Sequence, residues 1–441
     1  MLNSHRLIKG TIILTGAGFI CRFLGFFYRI YLSRQFTEES IGIYQLLAPL
    51  TALVFAVTAA GLQTAISKFV AASLEKGQQH AVHILAAGTI FSLFISSILT
   101  FFIYCKADYI AEYFLKETRT APLIRLFALS IPFASIHSCI NGFFYGLQKT
   151  GLPALSQLLE QCIRIFALIF LCETILRQSL TPLIQVAGIG MIASEAGAAL
   201  FSLAYLYQYI IKNEIPIKLC GFSEIVGMIR KLFIMAWPLS LSRVVITLLL
   251  ALEAAYMPEM MIRSGLSRSE ALGCYGILTG MALPLIMFPN AITNSLSVLL
   301  LPIVSEADEK HESNTIVAAT RRSMKYCLFW GGVCCLGFYF IGPSVARLLF
   351  HSNTAGEYVR FLSFICPFLY LSTTTGSILH GLGRTKITFI SQLLALSMRL
   401  LFVFLLLPKV GITAYFSGLL TSQLLLCLFY LLALRKYMYY T

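Results

Sequence analysis

Apolar residues run along this chain in blocks of about 20 or more, enough to cross a hydrocarbon core of about 30 Å as helices, and mostly short polar segments separate the blocks. About twelve can be drawn, over approximate residues 8–32, 43–70, 81–104, 121–147, 154–172, 183–211, 232–256, 272–300, 325–346, 358–381, 387–407 and 411–434. The pattern predicts an all-α integral membrane protein, because a helix satisfies its backbone polar groups within itself and so tolerates lipid. In the eighth block, Pro284, Pro289, Asn290 and Asn294 precede Pro302. A kink is expected there, with freed carbonyls that need polar neighbours. The first block follows His5, Arg6 and Lys9, as the core of a signal peptide would. Arg22 and Arg29 interrupt it and no small-residue cleavage site follows, so it reads as a retained helix.

The blocks repeat. Residues 132–164 (PFASIHSCINGFFYGLQKTGLPALSQLLEQCIR) align without a gap on residues 367–399 (PFLYLSTTTGSILHGLGRTKITFISQLLALSMR), 235 positions later. A second echo pairs Glu39, Gly42 and Tyr44 with Glu270, Gly273 and Tyr275. Six spans separate equivalent positions, an even number, which predicts parallel-topology repeats related by an axis along the membrane normal. The expected architecture is two six-helix bundles around a central cavity, 1–211 and 232–441, joined by a hydrophilic cytoplasmic linker, 212–231. A substrate site is then expected near mid-membrane between the halves, opening alternately to the two sides.

Composition supports the membrane assignment and narrows the chemistry. The chain is 58% hydrophobic and 12% charged, with a mean hydropathy of +0.82, against roughly 25% charged residues in soluble domains. Its net charge of +14 would suggest nucleic acid, but much of the basicity is topogenic. Alternate loops starting from a cytoplasmic N-terminus hold an excess of Lys and Arg, among them Lys68, Lys76, Lys149, Lys212, Lys218, Arg230, Lys231, Arg321 and Arg322. By the positive-inside rule this places a multi-pass protein in the cytoplasmic membrane with both termini inside, and no nucleic-acid partner is expected. Twelve cysteines lie scattered without a C-x-x-C pair, so no disulfide or metal framework is implied. Neither a P-loop, a nucleophile elbow nor a zinc motif is present, which argues against an enzyme, a cofactor or transport driven by ATP within the chain.

Five of the arginines inside the apolar blocks are candidates for chemistry: Arg22, Arg29, Arg164, Arg243 and Arg399. A guanidinium at the centre of a membrane helix costs about 2.5 to 3.5 kcal/mol, so it persists facing a partner or a wet cavity. Glu160 and Arg164 are four residues apart on one helical face, with the acid in the better N-terminal position, and Gln157 and Gln161 extend that polar stripe. The second repeat keeps Ser391, Gln392 and Arg399 but has Ala395 in place of the carboxylate. Arg399 is therefore expected to lack a partner and to be the stronger anion ligand. Glu160, Glu195 and Glu253 are the candidates for charge partners or ion coupling, and His137 and His380 read as packed, hydrogen-bonding residues. Taken as a set, the five arginines with Gln157, Gln161 and Gln392 suggest substrate binding in a cationic cavity matched to phosphate, since the guanidinium fork binds phosphate bidentately. Structural ion pairing between helices is the competing explanation.

Residues 10–34 (GTIILTGAGFICRFLGFFYRIYLSR), 61–71 (GLQTAISKFVA), 146–165 (GLQKTGLPALSQLLEQCIRI) and 288–307 (FPNAITNSLSVLLLPIVSEA) resemble the polysaccharide-flippase family typified by stage V sporulation protein B. That family lies in the superfamily of multidrug, oligosaccharidyl-lipid and polysaccharide exporters. The resemblance implies export of an undecaprenyl-pyrophosphate-linked glycan or peptidoglycan precursor across the cytoplasmic membrane, for cell wall or spore cortex, among membrane lipids and cell-wall synthesis enzymes. It also implies a cavity onto which Arg22, Glu160, Arg164, Arg243 and Arg399 map. Gln63 stands where proline is common, and about twelve spans are expected where many relatives carry fourteen, which leaves the exact substrate open. Two alternatives stay in view. One is a cation-coupled multidrug antiporter of the same fold, in which cavity arginines would repel the cargo. The other is a non-transporting membrane scaffold for cell-wall enzymes.

Overall fold

The computed structural model describes residues 2–73, 77–177, 183–216 and 221–439. Lys76 and Lys218 of the charge count, and part of the 212–231 linker, lie outside them. Helix is the regular structure throughout the described residues, and every expected span falls on it. The helices are α1 (Leu2–Gln35), α2 (Glu38–Ser73), α3 (Gln78–Cys105), α4 (Thr118–Gly146), α5 (Gly151–Arg177), α6 (Gln185–Lys212) and α7 (Phe222–Arg263). There follow α8 (Arg268–Met287), α9 (Asn290–Glu309), α10 (Ser313–Phe340), α11 (Gly342–Phe350), α12 (Asn353–Gly381), α13 (Thr385–Val410) and α14 (Ile412–Tyr439). Among the described residues ten helices are long and apolar enough to cross a membrane, or eleven spans if the bent pair α10 and α11 is one. Helix α5, 27 residues long with Glu160 and Arg164 inside it, covers the remaining expected span. The last ten residues of the expected linker, 222–231, are the first turns of α7.

Proline sets the breaks. Helix α8 ends at Met287, before Pro289, and α9 begins again at Asn290. The Ile286 carbonyl beside this break accepts the Tyr370 hydroxyl at 2.9 Å, the polar neighbour that a proline break requires. Pro343 follows the junction of α10 and α11, which bend by 66°. Within α8, residues Ile277–Ala282 wind as a π-helix, and the Leu283 N–H bonds Leu278 rather than Thr279. In that register the Thr279 carbonyl would need the N–H of residue 284, which is proline and has none. The orphaned carbonyl finds its donor elsewhere, as described below.

The chain packs as two compact units. The first comprises residues 1–25 and 46–251. Its core gathers Leu62, Ile66 and Val70 of α2, Ile84 and Leu85 of α3, Phe143 and Phe144 of α4 and Tyr209 of α6. Gly142 is required where α4 meets α2, since a Cβ there would lie 2.7 Å from the Gln63 carbonyl oxygen. Gln63, the departure from proline, accepts a hydrogen bond from Ser138 at 3.2 Å through its side-chain oxygen.

The second unit comprises residues 26–45 and 252–441, with a core of Leu300, Val304, Ile378, Leu379, Tyr430 and Leu434. Here the short echoed motifs pack on each other. A Cβ on Gly42 would meet the Leu272 carbonyl oxygen at 2.0 Å, and one on Gly276 would meet the Glu38 carbonyl oxygen at 2.3 Å. Small residues let these backbones approach, as is common between membrane helices. The α4–α5 and α12–α13 turns carry equivalent left-handed residues, Gln148 (φ 56°) and Gly383 (φ 68°).

Candidate functional site

In the first unit, α4, α5 and α6 bring four ionisable side chains together. Arg164 Nη2 donates to Glu160 Oε1 one turn back at 2.5 Å, and Arg164 Nε donates to Ser194 Oγ at 3.3 Å. A second carboxylate, Glu195 on α6, places Oε1 3.7 Å from Arg164 and Oε2 3.7 Å from His137 Nδ1 on α4. The four side chains are only 12% to 19% exposed. His137 Nδ1 and Glu195 Oε2 are both buried and have no hydrogen-bond partner among the described residues. One ligand-type atom from each of His137, Glu160 and Glu195 lies within 4.8 Å of the others, a spacing that could hold a positive charge. Two carboxylates share one guanidinium, so negative charge is in excess.

In the second unit both oxygens of one buried carboxylate are engaged, while Arg399 Nε is buried without a hydrogen-bond partner among the described residues. Arg399 of α13 donates to Glu253 Oε2 of α7, and the Tyr415 hydroxyl of α14 donates to Glu253 Oε1 at 2.6 Å. The expectation that Arg399 lacks a carboxylate is therefore corrected. Ala395 removes the partner within its own helix, and Glu253, 146 residues away in sequence, supplies another. Gln392 donates to the Tyr430 hydroxyl at 3.4 Å. By the 235-residue offset, Ser372 is the counterpart of His137, and it donates to Gln423 Oε1 of α14 at 3.2 Å, where His137 faces Glu195 of α6. Among the described residues, the acidic cluster belongs to the first repeat alone.

Arg29 is also engaged, donating to the orphaned Thr279 carbonyl at 3.0 Å. That bond completes the π-helical turn that Pro284 leaves unsatisfied. Arg22 on α1 and Arg243 on α7 are exposed and make no hydrogen bond or ion pair among the described residues. Gln157 is exposed and Gln161 half-buried, and neither makes a side-chain hydrogen bond among the described residues. Of these five arginines, three are held by protein partners and two are exposed without one among the described residues.

Sequence inspection missed two members of these sites. His137 reads as solitary until the fold sets it beside Glu195. The available signal was that ionisable residues inside membrane helices usually pair, and α5 and α6 each supply a carboxylate. Tyr415 gave no signal, for a tyrosine in an apolar helix is ordinary.

Fold and site together define an all-α membrane protein, and its fold is shared with solved transporters of the MOP superfamily. The chain is similar to a solved structure of the lipid II flippase MurJ in an inward closed conformation (TM-score 0.73, 16% identity, covering 96% of this chain and 87% of that one). It is equally similar to an inward-facing multidrug resistance transporter of the MATE family of that superfamily (TM-score 0.73, 14% identity, 95% of both chains). Residues 7–308 match the polysaccharide biosynthesis protein family, and the chain belongs to it. It is 28% identical to stage V sporulation protein B of Bacillus subtilis (strain 168) over 443 residues, covering 99% of this chain and 85% of that protein.

Proposed function

We propose that this protein is a flippase that moves an undecaprenyl-pyrophosphate-linked oligosaccharide or peptidoglycan precursor from the inner to the outer leaflet of the cytoplasmic membrane, for cell wall or spore cortex synthesis. The observation that carries this reading is that Arg22 and Arg243 lie in membrane-spanning helices, exposed and with no partner among the described residues. An unpaired guanidinium at that depth is expensive, and an anionic headgroup would offset the cost. Pyrophosphate suits the geometry of the fork. Arg164 and Arg399 serve as internal counter-ions and Arg29 as a backbone cap, so the proposed binding set contracts to Arg22 and Arg243, with Gln157 and Gln161 as neutral donors. Substrate would be released outward by alternating access, without chemical change.

Native mass spectrometry of the full chain in nanodiscs, titrated with lipid II or a shorter pyrophosphate lipid, tests this. A hydrogen bond to a charged group contributes about 1.5 to 3 kcal/mol, so Arg22→Gln and Arg243→Gln should each weaken binding about tenfold or more. Lysine should restore part of it. Unchanged affinity in both glutamine variants, with tight binding of organic cations by the parent, would instead establish the antiporter reading. That second reading is favoured by the excess carboxylate at Glu160 and Glu195.

A further inference from the structure

We propose that Glu195 is the atom-level site at which this protein binds and releases a proton, on Oε2, within the His137, Glu160 and Arg164 cluster. The proposal deepens the transport reading above, on which its use as a coupling site rests. Two buried atoms aim at one another across 3.7 Å, Glu195 Oε2 and His137 Nδ1, and neither has a hydrogen-bond partner among the described residues. Both accept when the carboxylate is ionised and the imidazole carries its hydrogen on Nε2. A buried polar group left in that state is costly. With the hydrogen on Nδ1 the imidazole would donate to Oε2, but the cluster would keep its net negative charge. One proton on Oε2 turns the carboxylate into a donor toward Nδ1, and closure of the gap by less than about 1 Å completes a normal hydrogen bond.

Charge counting selects a single positive charge. Arg164 is committed to Glu160 at 2.5 Å and only approaches Glu195, at 3.7 Å. With both acids ionised the cluster carries one net negative charge, and one proton makes it neutral. A metal ion fits less well. Glu160 Oε1 is occupied by the guanidinium, and Ser194 Oγ is engaged with both Arg164 and the Met191 carbonyl. That leaves too few oxygens for a hard cation, which takes six or more. A second cation would also sit against the guanidinium.

The groups facing Glu195 are His137 from α4 and Glu160 and Arg164 from α5, and Cys21 of α1 lies within electrostatic reach of Glu160. Ionised, Glu195 competes with Glu160 for Arg164. Protonated, it releases Arg164 to Glu160 and turns to His137. The proton therefore changes whether the guanidinium is drawn to the Glu195 carboxylate of α6, while Ser194 Oγ of the same helix accepts from Nε in either state.

Infrared difference spectroscopy of the full chain in nanodiscs, titrated with acid without any lipid-linked substrate, reads the proton directly. A protonated-carboxyl C=O stretch should appear on acidification, be lost in Glu195→Gln, and shift in frequency in Glu195→Asp. It should titrate at more acidic pH than the parent in Glu160→Gln, where the neighbouring negative charge is gone, and in His137→Phe, where the acceptor is gone. The same stretch in parent and Glu195→Gln, or its displacement by sodium or zinc at fixed pH, would overturn the proposal. The measurement uses no lipid pyrophosphate. Its failure would leave the Arg22 and Arg243 binding result standing, and failure of that result would leave the proton site standing.

Discussion

Replacing Glu253 by glutamine is the most searching test of how the second unit is held together. The change keeps shape and removes one charge. In the parent, Glu253 and Arg399 side chains are 5% and 12% exposed, and the carboxylate accepts from both Arg399 and Tyr415. Glu253→Gln would leave the Arg399 guanidinium buried without a counter-charge, and breaking a buried pair from one side costs about 3 to 5 kcal/mol. A unit of this size loses roughly 2 to 4 °C of melting temperature per kcal/mol, so the apparent midpoint should fall by on the order of 10 °C. Intrinsic-fluorescence melting of purified protein in detergent measures it. Replacing both partners, Glu253→Leu with Arg399→Met, should recover most of the loss, because apolar replacement of a whole buried pair is often neutral. In the first unit Glu160→Gln should cost less, since Glu195 remains within 3.7 Å to take up Arg164. A Glu253→Gln midpoint equal to that of the parent would refute the claim that this pair is buried.

Other consequences can be measured alongside it. Gly42→Ala would place a methyl 2.0 Å from the Leu272 carbonyl oxygen and should abolish the monodisperse folded peak in size-exclusion chromatography, whereas Gly18→Ala, with nothing within 4 Å, should preserve it. Gln148→Gly should raise the melting temperature, because a left-handed residue with a Cβ carries about 1 to 2 kcal/mol of strain and φ here is 56°. On a cysteine-free background, cysteines at Ser223 and Ser267 flank α7 and should label from opposite sides of the membrane, Glu309 with Ser223 and Lys116 with Ser267; labelling of Ser223 and Ser267 from one side would show that α7 does not cross.

The run of apolar blocks determined the class of fold by itself, because bilayer thickness and backbone hydrogen bonding leave helices as the one reading of such blocks. The break at Pro289 and the pairing of Glu160 with Arg164 were legible for the same reason: both are local, set by a ring without an N–H or by a spacing of one helical turn. The partner of Arg399 was not legible, since Glu253 lies 146 residues away on another helix and no periodicity joins them. Arg29 shows the limit most clearly. Sequence marks it as a charge in a membrane helix, but only the fold sets it against the one carbonyl that a π-turn and Pro284 together leave without a donor. Tertiary structure thus decided which arginines are spent on protein partners and which two stay exposed without one among the described residues, because neutralising a buried charge depends on proximity in space.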